Sequence, residues 1–269
     1  MFLPSTIDLS QSEKYILSIR IEPDGLMFSI SDPENGKNYC LRETSFITDT
    51  TVLNNIKRII FEISFLTLEF KEANVIIVSD NYDIIPDEYY DRDKKNKLYN
   101  LTHFRSDGKL LTNRNQKQNS VTLFSIDEDI YDFLSRNLCN PRFFHHTNLL
   151  VDYFSEKGKV VSMGSKMFVN FGNGLCDILC YTNSRLIHCM TIKEEQGVNQ
   201  LYYILKAWEQ SGFDQLQDYI YTVGLEDEKL SAELHKYVKN TEQISAPSEV
   251  FLWNEEALKA PLDILSLSL

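Results

Sequence analysis

The stretch Lys166–Ile192, KMFVNFGNGLCDILCYTNSRLIHCMTI, constrains the fold more than any other. It holds three short runs rich in β-branched, aromatic and cysteine residues, each too short for a helix. Gly172-Asn173-Gly174 and Asn183-Ser184 separate the runs, and glycine and asparagine tolerate the positive φ of tight hairpins. The spacing predicts an antiparallel three-strand meander. A helical signal follows over Gln196–Ser211, then an apolar run, Tyr219–Val223, that ends at Gly224.

The same order occurs near the N-terminus. Lys14–Ile21 and Leu26–Ser31 flank the turn Glu22-Pro23-Asp24-Gly25, and Asn35-Gly36-Lys37-Asn38 leads into a third strand at Tyr39–Glu43. After a cap at Thr50 or Thr51, Val52, Ile56, Ile59, Ile63 and Leu66 recur at helical spacing. Ala73–Val78 reads as a strand buried on both faces. Pro86, with Asp87 and Glu88 behind it, is expected to open a helix through Leu98. The polar run Thr112–Ser120 reads as a loop and Val121–Ser125 as a strand. Asp127, Glu128 and Asp129 fall in the first turn of the next helix, where acids suit the helix dipole.

Arg142–His146 reads as a strand, which would point His145 and His146 to opposite faces, one buried and one exposed. Glu156-Lys157-Gly158-Lys159 is the expected boundary, giving domains of residues 1–160 and 161–269. Leu230 and Leu234 mark a helix in the second half. Glu242–Ser245 and Val250–Trp253 read as strands, and Ala260–Leu269 as an apolar tail docked as a helix.

Charge and composition exclude several classes. With 39 acidic against 27 basic residues and a net charge of -12, the chain repels phosphate backbones, so no nucleic-acid partner is expected. No apolar run reaches the ~18 residues of a membrane span, and the N-terminus lacks the pattern of a secretion signal. Five cysteines (Cys40, Cys139, Cys176, Cys180 and Cys189) without framework spacing suit free thiols in a reducing compartment, so the expected location is cytoplasmic. The Asn183-Ser184 turn would set Cys180 opposite Ile187 and Cys189 opposite Ile178, leaving Cys176, Cys180 and Cys189 on one face and His188 on the other. Such a trio reads as a core patch, not a metal site. HExxH, Walker, GxSxG and CxxC patterns are absent, and no catalytic residue is assigned.

Two halves of this kind in tandem resemble the actin-like ATPase superfamily. That resemblance implies an α/β fold of two ribonuclease-H-like half-domains, each with a mixed sheet opened by an antiparallel three-strand meander and flanked by helices. Over roughly Lys14 to the C-terminus the chain looks like an uncharacterised bacterial family of unknown function with this fold. It is more distantly similar to pilus-assembly and cell-division actin-like proteins. The resemblance implies ATP and magnesium held at two strand–turn–strand corners and one glycine-rich strand end. In this sequence Asn170, Gly172, Asn173 and Gly174 would hold phosphate, and Thr222 and Gly224 the adenosine.

The residues depart from that pattern. At the first corner the acid and glycine of Glu22-Pro23-Asp24-Gly25 are displaced, and Pro23 removes an amide. Asn170 replaces the expected aspartate and is a poor magnesium ligand. Leu225 replaces a second glycine. The expectation is a pseudo-ATPase with no cofactor and no metal, acting as a binding or scaffolding protein for an unidentified protein partner. The alternative is a nucleotide-binding switch with little or no hydrolysis. Asn170, read as solvent-facing, is expected to tolerate Asn170→Asp at small cost.

Overall fold

A computed structural model describes residues 3–103, 108–161, 164–172, 174–193, 200–244, 250 and 253–269. The chain packs as two units, one of Met1–Arg114, Ser120–Leu150 and Ala246–Leu269, the other of Asn115–Asn119 and Val151–Ser245.

The first unit opens with the predicted meander, β1 (Ile16–Ile21), β2 (Gly25–Ser31) and β3 (Tyr39–Ser45), paired antiparallel. Helix α1 (Val52–Glu62) begins where Thr51 accepts the Asn54 amide at 3.2 Å. Strand β4 (Glu72–Ile77) then runs parallel to β1. Next come β5 (Tyr82–Pro86), α2 (Lys95–Tyr99), β6 (Lys109–Asn115), β7 (Ser120–Ile126), α3 (Glu128–Asn137), β8 (Arg142–His145) and α4 (His146–Val161), which belongs to the second unit from Val151 on. The main sheet has the order β3-β2-β1-β4-β8. Leu17, Ile19 and Ile21 on one face of β1 bury against Ile56, Ile59 and Ile60 of α1 and Ile130 and Leu134 of α3. Burying each such aliphatic side chain contributes about 1.5–3 kcal/mol.

The second unit repeats the plan. It contains β9 (Lys166–Gly172), β10 (Leu175–Thr182), β11 (Arg185–Lys193), α5 (Gln200–Gln210), β12 (Tyr219–Val223), α6 (Glu228–Tyr237) and β13 (Asn240–Gln243). Its sheet order, β11-β10-β9-β12-β13, is that of the first unit strand for strand. Met167, Val169, Cys176, Ile178 and Cys180 pack against Ile204, Ala207 and Trp208 of α5 and Leu230 and Leu234 of α6. On the other face Phe154 of α4 stacks on Phe168 at 4.5 Å, and Phe168 stacks on Tyr221 at 5.4 Å. The tail forms α7 (Glu255–Leu258) and α8 (Leu262–Ser266). Among the described residues no helix is long and apolar enough to cross a membrane.

The structure departs from the sequence reading at several points. Pro86 closes strand β5, and only 3-10 turns and the five-residue α2 follow it. Tyr82–Ile85 pairs with β7, and proline fits the end of an outer strand because it gives up no ladder bond there. The polar run at Thr112 is not a loop, since its first four residues complete β6 of a small sheet, β5-β7-β6. Its sequence looks unstructured because an outer strand buries few side chains; Leu110 and Asn115 are the buried positions of β6.

The charged run Glu156–Lys159 lies inside the continuous helix α4. The tail that sequence assigned to the second half packs in the first unit, where Ala257 and Leu265 join Tyr39 and Val250. His145 ends a strand and His146 starts a helix, so strand parity does not separate them, and both are buried. The start of the helix expected at Gln196 and the end of the Glu242–Ser245 strand lie outside the described residues. Val250 and Trp253, the described ends of a further expected strand, are not extended, since the Trp253 amide donates to the Val250 carbonyl at 3.0 Å across a turn.

The cysteine register also differs. A bulge between Cys180 and Tyr181 places Cys180 opposite His188 and Cys189 opposite Leu179. One inserted residue reverses the faces of everything beyond it. Cys176 and Cys180 therefore stay in the core, Cys189 turns to the other face, and His188 joins the face of Cys180. Burial pushes the Cys180 thiol up to about 11, as suits an inert core thiol.

Candidate functional site

The second-unit corner lies where β9 turns into β10. One row of residues crosses the sheet there: Val223, Asn170, Asp177 and Thr191. Asn170 Nδ2 donates to Asp177 Oδ2 at 3.1 Å, and Thr191 Oγ1 donates to Asp177 Oδ1 at 2.7 Å. Asp177 is only 3% exposed, and both of its side-chain oxygens are hydrogen-bonded, as a buried polar group requires. Asn170 is thus half-buried and engaged in this row.

Around it, a Cβ placed on Gly172 or Gly174 would meet nothing within 4 Å, so the hairpin backbone stands open. Gly174 has φ +72° and needs its freedom for the turn. Gly224 has φ +69°, and a Cβ there would strike the carbonyl oxygen of Phe171, so this glycine is required by packing. Thr222 is buried opposite Val169, on the face that packs against α5 and α6, and its side chain does not reach Asn170. Asn173 lies outside the described residues. The fold therefore gathers Asn170, Gly172 and Gly174 at one sheet end with Gly224 beside Phe171, and leaves the Thr222 side chain elsewhere.

The first-unit corner is closed differently. The Glu22 amide donates to the Gly25 carbonyl at 2.9 Å across the β1–β2 turn. Arg20 of β1 points away from the Leu17–Ile19–Ile21 face and is 5% exposed. Its Nε donates to Asp263 Oδ2 of α8 at 2.7 Å, and its Nη1 forms an ion pair with Glu22. Glu22 and Asp263 are buried as well. A guanidinium between two carboxylates fills this corner with the chain's own groups.

Sequence reasoning missed Arg20, Asp263 and Asp177 as a set. The signal was present: each is a lone charge within an apolar run, ILSIRI, LDILS and LCDILCYT respectively. Charges almost never bury without partners, so each implied a contact that the one-dimensional pattern could not supply.

A third polar cluster surrounds His145. Its Nε2 lies 3.1 Å from Ser79 Oγ and its Nδ1 2.7 Å from Thr147 Oγ1. The Thr147 amide donates to Nδ1 at 3.4 Å, which assigns the ring hydrogen to Nε2, facing Ser79. A ring that donates to serine cannot also take its proton, so the pair is structural. Burial, reinforced by His146, holds His145 well below the usual histidine range and therefore neutral. Among the described residues no cluster of three histidine, cysteine or acidic side chains suits a metal ion.

Comparison with known proteins agrees with this fold. A Bacteroides thetaiotaomicron protein with an actin-like ATPase fold and unknown function superposes with TM-score 0.83 at 27% identity, over 97% of this chain and 98% of that one. The PilM–PilN type IV pilus biogenesis complex matches with TM-score 0.52 at 12% identity, over 94% of this chain and 97% of that one, and shares the fold. No curated protein matches the sequence. Residues 4–241 match a family described as protein of unknown function (DUF3822). The chain has an actin-like ATPase fold and belongs to the DUF3822 family.

Proposed function

We propose that the protein is a non-catalytic cytoplasmic binding or scaffolding protein built on a degenerate actin-like ATPase fold. The observation that carries this reading is Arg20. Where the superfamily pattern wants an acid and free amides, this chain has a buried guanidinium tied to Glu22 and Asp263. Asn170 supports it too, since its amide is spent on Asp177 and brings no carboxylate of its own. The fold is compatible with such a role: a structural neighbour, PilM, is described in complex with PilN. Phosphate release by the full chain with magnesium and ATP tests the reading. No release above the protein-free control is expected; sustained magnesium-dependent turnover contradicts it.

A nucleotide-binding switch with little or no hydrolysis is the second reading. The open hairpin at Gly172 and Gly174 favours it, because turn amides free of side-chain cover can hold an anion.

A further inference from the structure

The two sheets end on equivalent strands, β3 in the first unit and β11 in the second. The outer edge of β3 is covered by the chain's own C-terminal segment. Asn254 Nδ2 donates to the carbonyls of Tyr39 at 2.7 Å and Lys37 at 3.1 Å, and the Leu41 amide donates to Glu256 Oε2 at 2.9 Å. Arg42 completes the contact with an ion pair to Glu256 at 2.8 Å. An edge covered in this way cannot recruit another strand.

Strand β11 is longer, at nine residues, and no strand pairs with its outer side among the described residues. Its support comes at its start, where the Leu186 amide donates to Gln118 Oε1 at 2.7 Å. Ile187 is 49% exposed, and Arg185 is exposed without an ion pair among the described residues. The strand RLIHCMTIK contains no carboxylate, within a chain of net charge -12.

We propose that the outer edge of β11 docks an extended segment of a partner protein by strand addition. The segment is apolar in its middle and places a carboxylate against Arg185, as Glu256 stands against Arg42 in the other unit. Main-chain hydrogen bonds supply affinity, and the charge match supplies register and selectivity. A second copy of this chain fits poorly. In the full antiparallel register Arg185 opposes Lys193 at both ends, and like charges directly opposite destabilise a ladder. This inference goes beyond the proposed function and survives its failure, since ATP turnover would leave the β11 edge untouched.

Fluorescence anisotropy on the full chain tests it with three labelled peptides of nine residues, the length of β11. One alternates valine and threonine with glutamate at both ends, one has lysine at the ends, and one is the glutamate peptide N-methylated at alternate amides. The glutamate peptide is expected to bind about ten-fold more tightly than the lysine peptide, and N-methylation to abolish binding. Arg185→Glu should level the preference between the charged pair, because each peptide then meets one like and one opposite charge at the ends of β11, with an unchanged circular dichroism spectrum. The proposal is overturned by no binding of the glutamate peptide, by equal binding of both charged peptides to the wild type, or by an unchanged preference in Arg185→Glu. A wild-type dimer in sedimentation that Arg185→Glu alters would also overturn it, by making a second copy the occupant.

Discussion

Arg20 sits between Glu22 and Asp263 with all three side chains out of solvent. Removing one member of a buried ionic group leaves uncompensated charge, which costs about 3–5 kcal/mol. Arg20→Met should therefore lower unfolding free energy by about that amount at pH 7. Urea denaturation at pH 7 measures it. At the other corner, Asn170→Asp would set a second carboxylate against Asp177 where an amide now donates. The small cost expected from sequence is thus an underestimate. A loss of about 1–3 kcal/mol is expected, with no ATP hydrolysis gained. Denaturation of this variant beside a phosphate-release assay gives both answers.

His145 predicts the direction of a pH dependence. Its folded pKa lies below the ordinary 6.5, so between those values the unfolded chain binds more protons. Its contribution to stability is complete above pH 6.5 and declines as pH falls beneath it. His188, also lowered by burial, acts with the same sign. The wild type should lose stability from pH 7 to pH 5.5, and His145→Gln should lose less over that interval. Equal slopes in the two proteins would remove His145 from the account.

At the scale of elements, the hairpins were legible because their chemistry is local. Asn183 and Ser184 have φ of +51° and +63°, the conformation of a two-residue hairpin turn of type I′. Serine is strained there, whereas glycine is not. Ser184→Gly should raise stability by about 0.5–1 kcal/mol after the added freedom of the unfolded chain is counted, measurable by thermal melting. Strand β6 was illegible because an outer strand of a small sheet leaves no apolar alternation to read. The bulge beside Cys180 was illegible for another reason: a one-residue insertion has no composition of its own, yet it moved Cys189 to the opposite face. Helix α4 hid its continuity behind a charged, glycine-containing run that resembles a linker.

At the scale of the whole molecule, the repeated order of strands was visible as repeated turn spacing, and both five-stranded sheets follow it. The return of the C-terminal segment to the first unit was not visible. It depends on Arg20–Asp263 and Arg42–Glu256, pairs of residues far apart in sequence. Those contacts bear on the proposed function, in which Arg20, held by Asp263, stands where the superfamily pattern would place an acid. The account's central claim is that the corners no longer serve ATP. Titration calorimetry of ATP with magnesium into the wild-type chain addresses it most directly. The account predicts no saturable heat up to millimolar nucleotide; saturable one-to-one binding that depends on magnesium would contradict it.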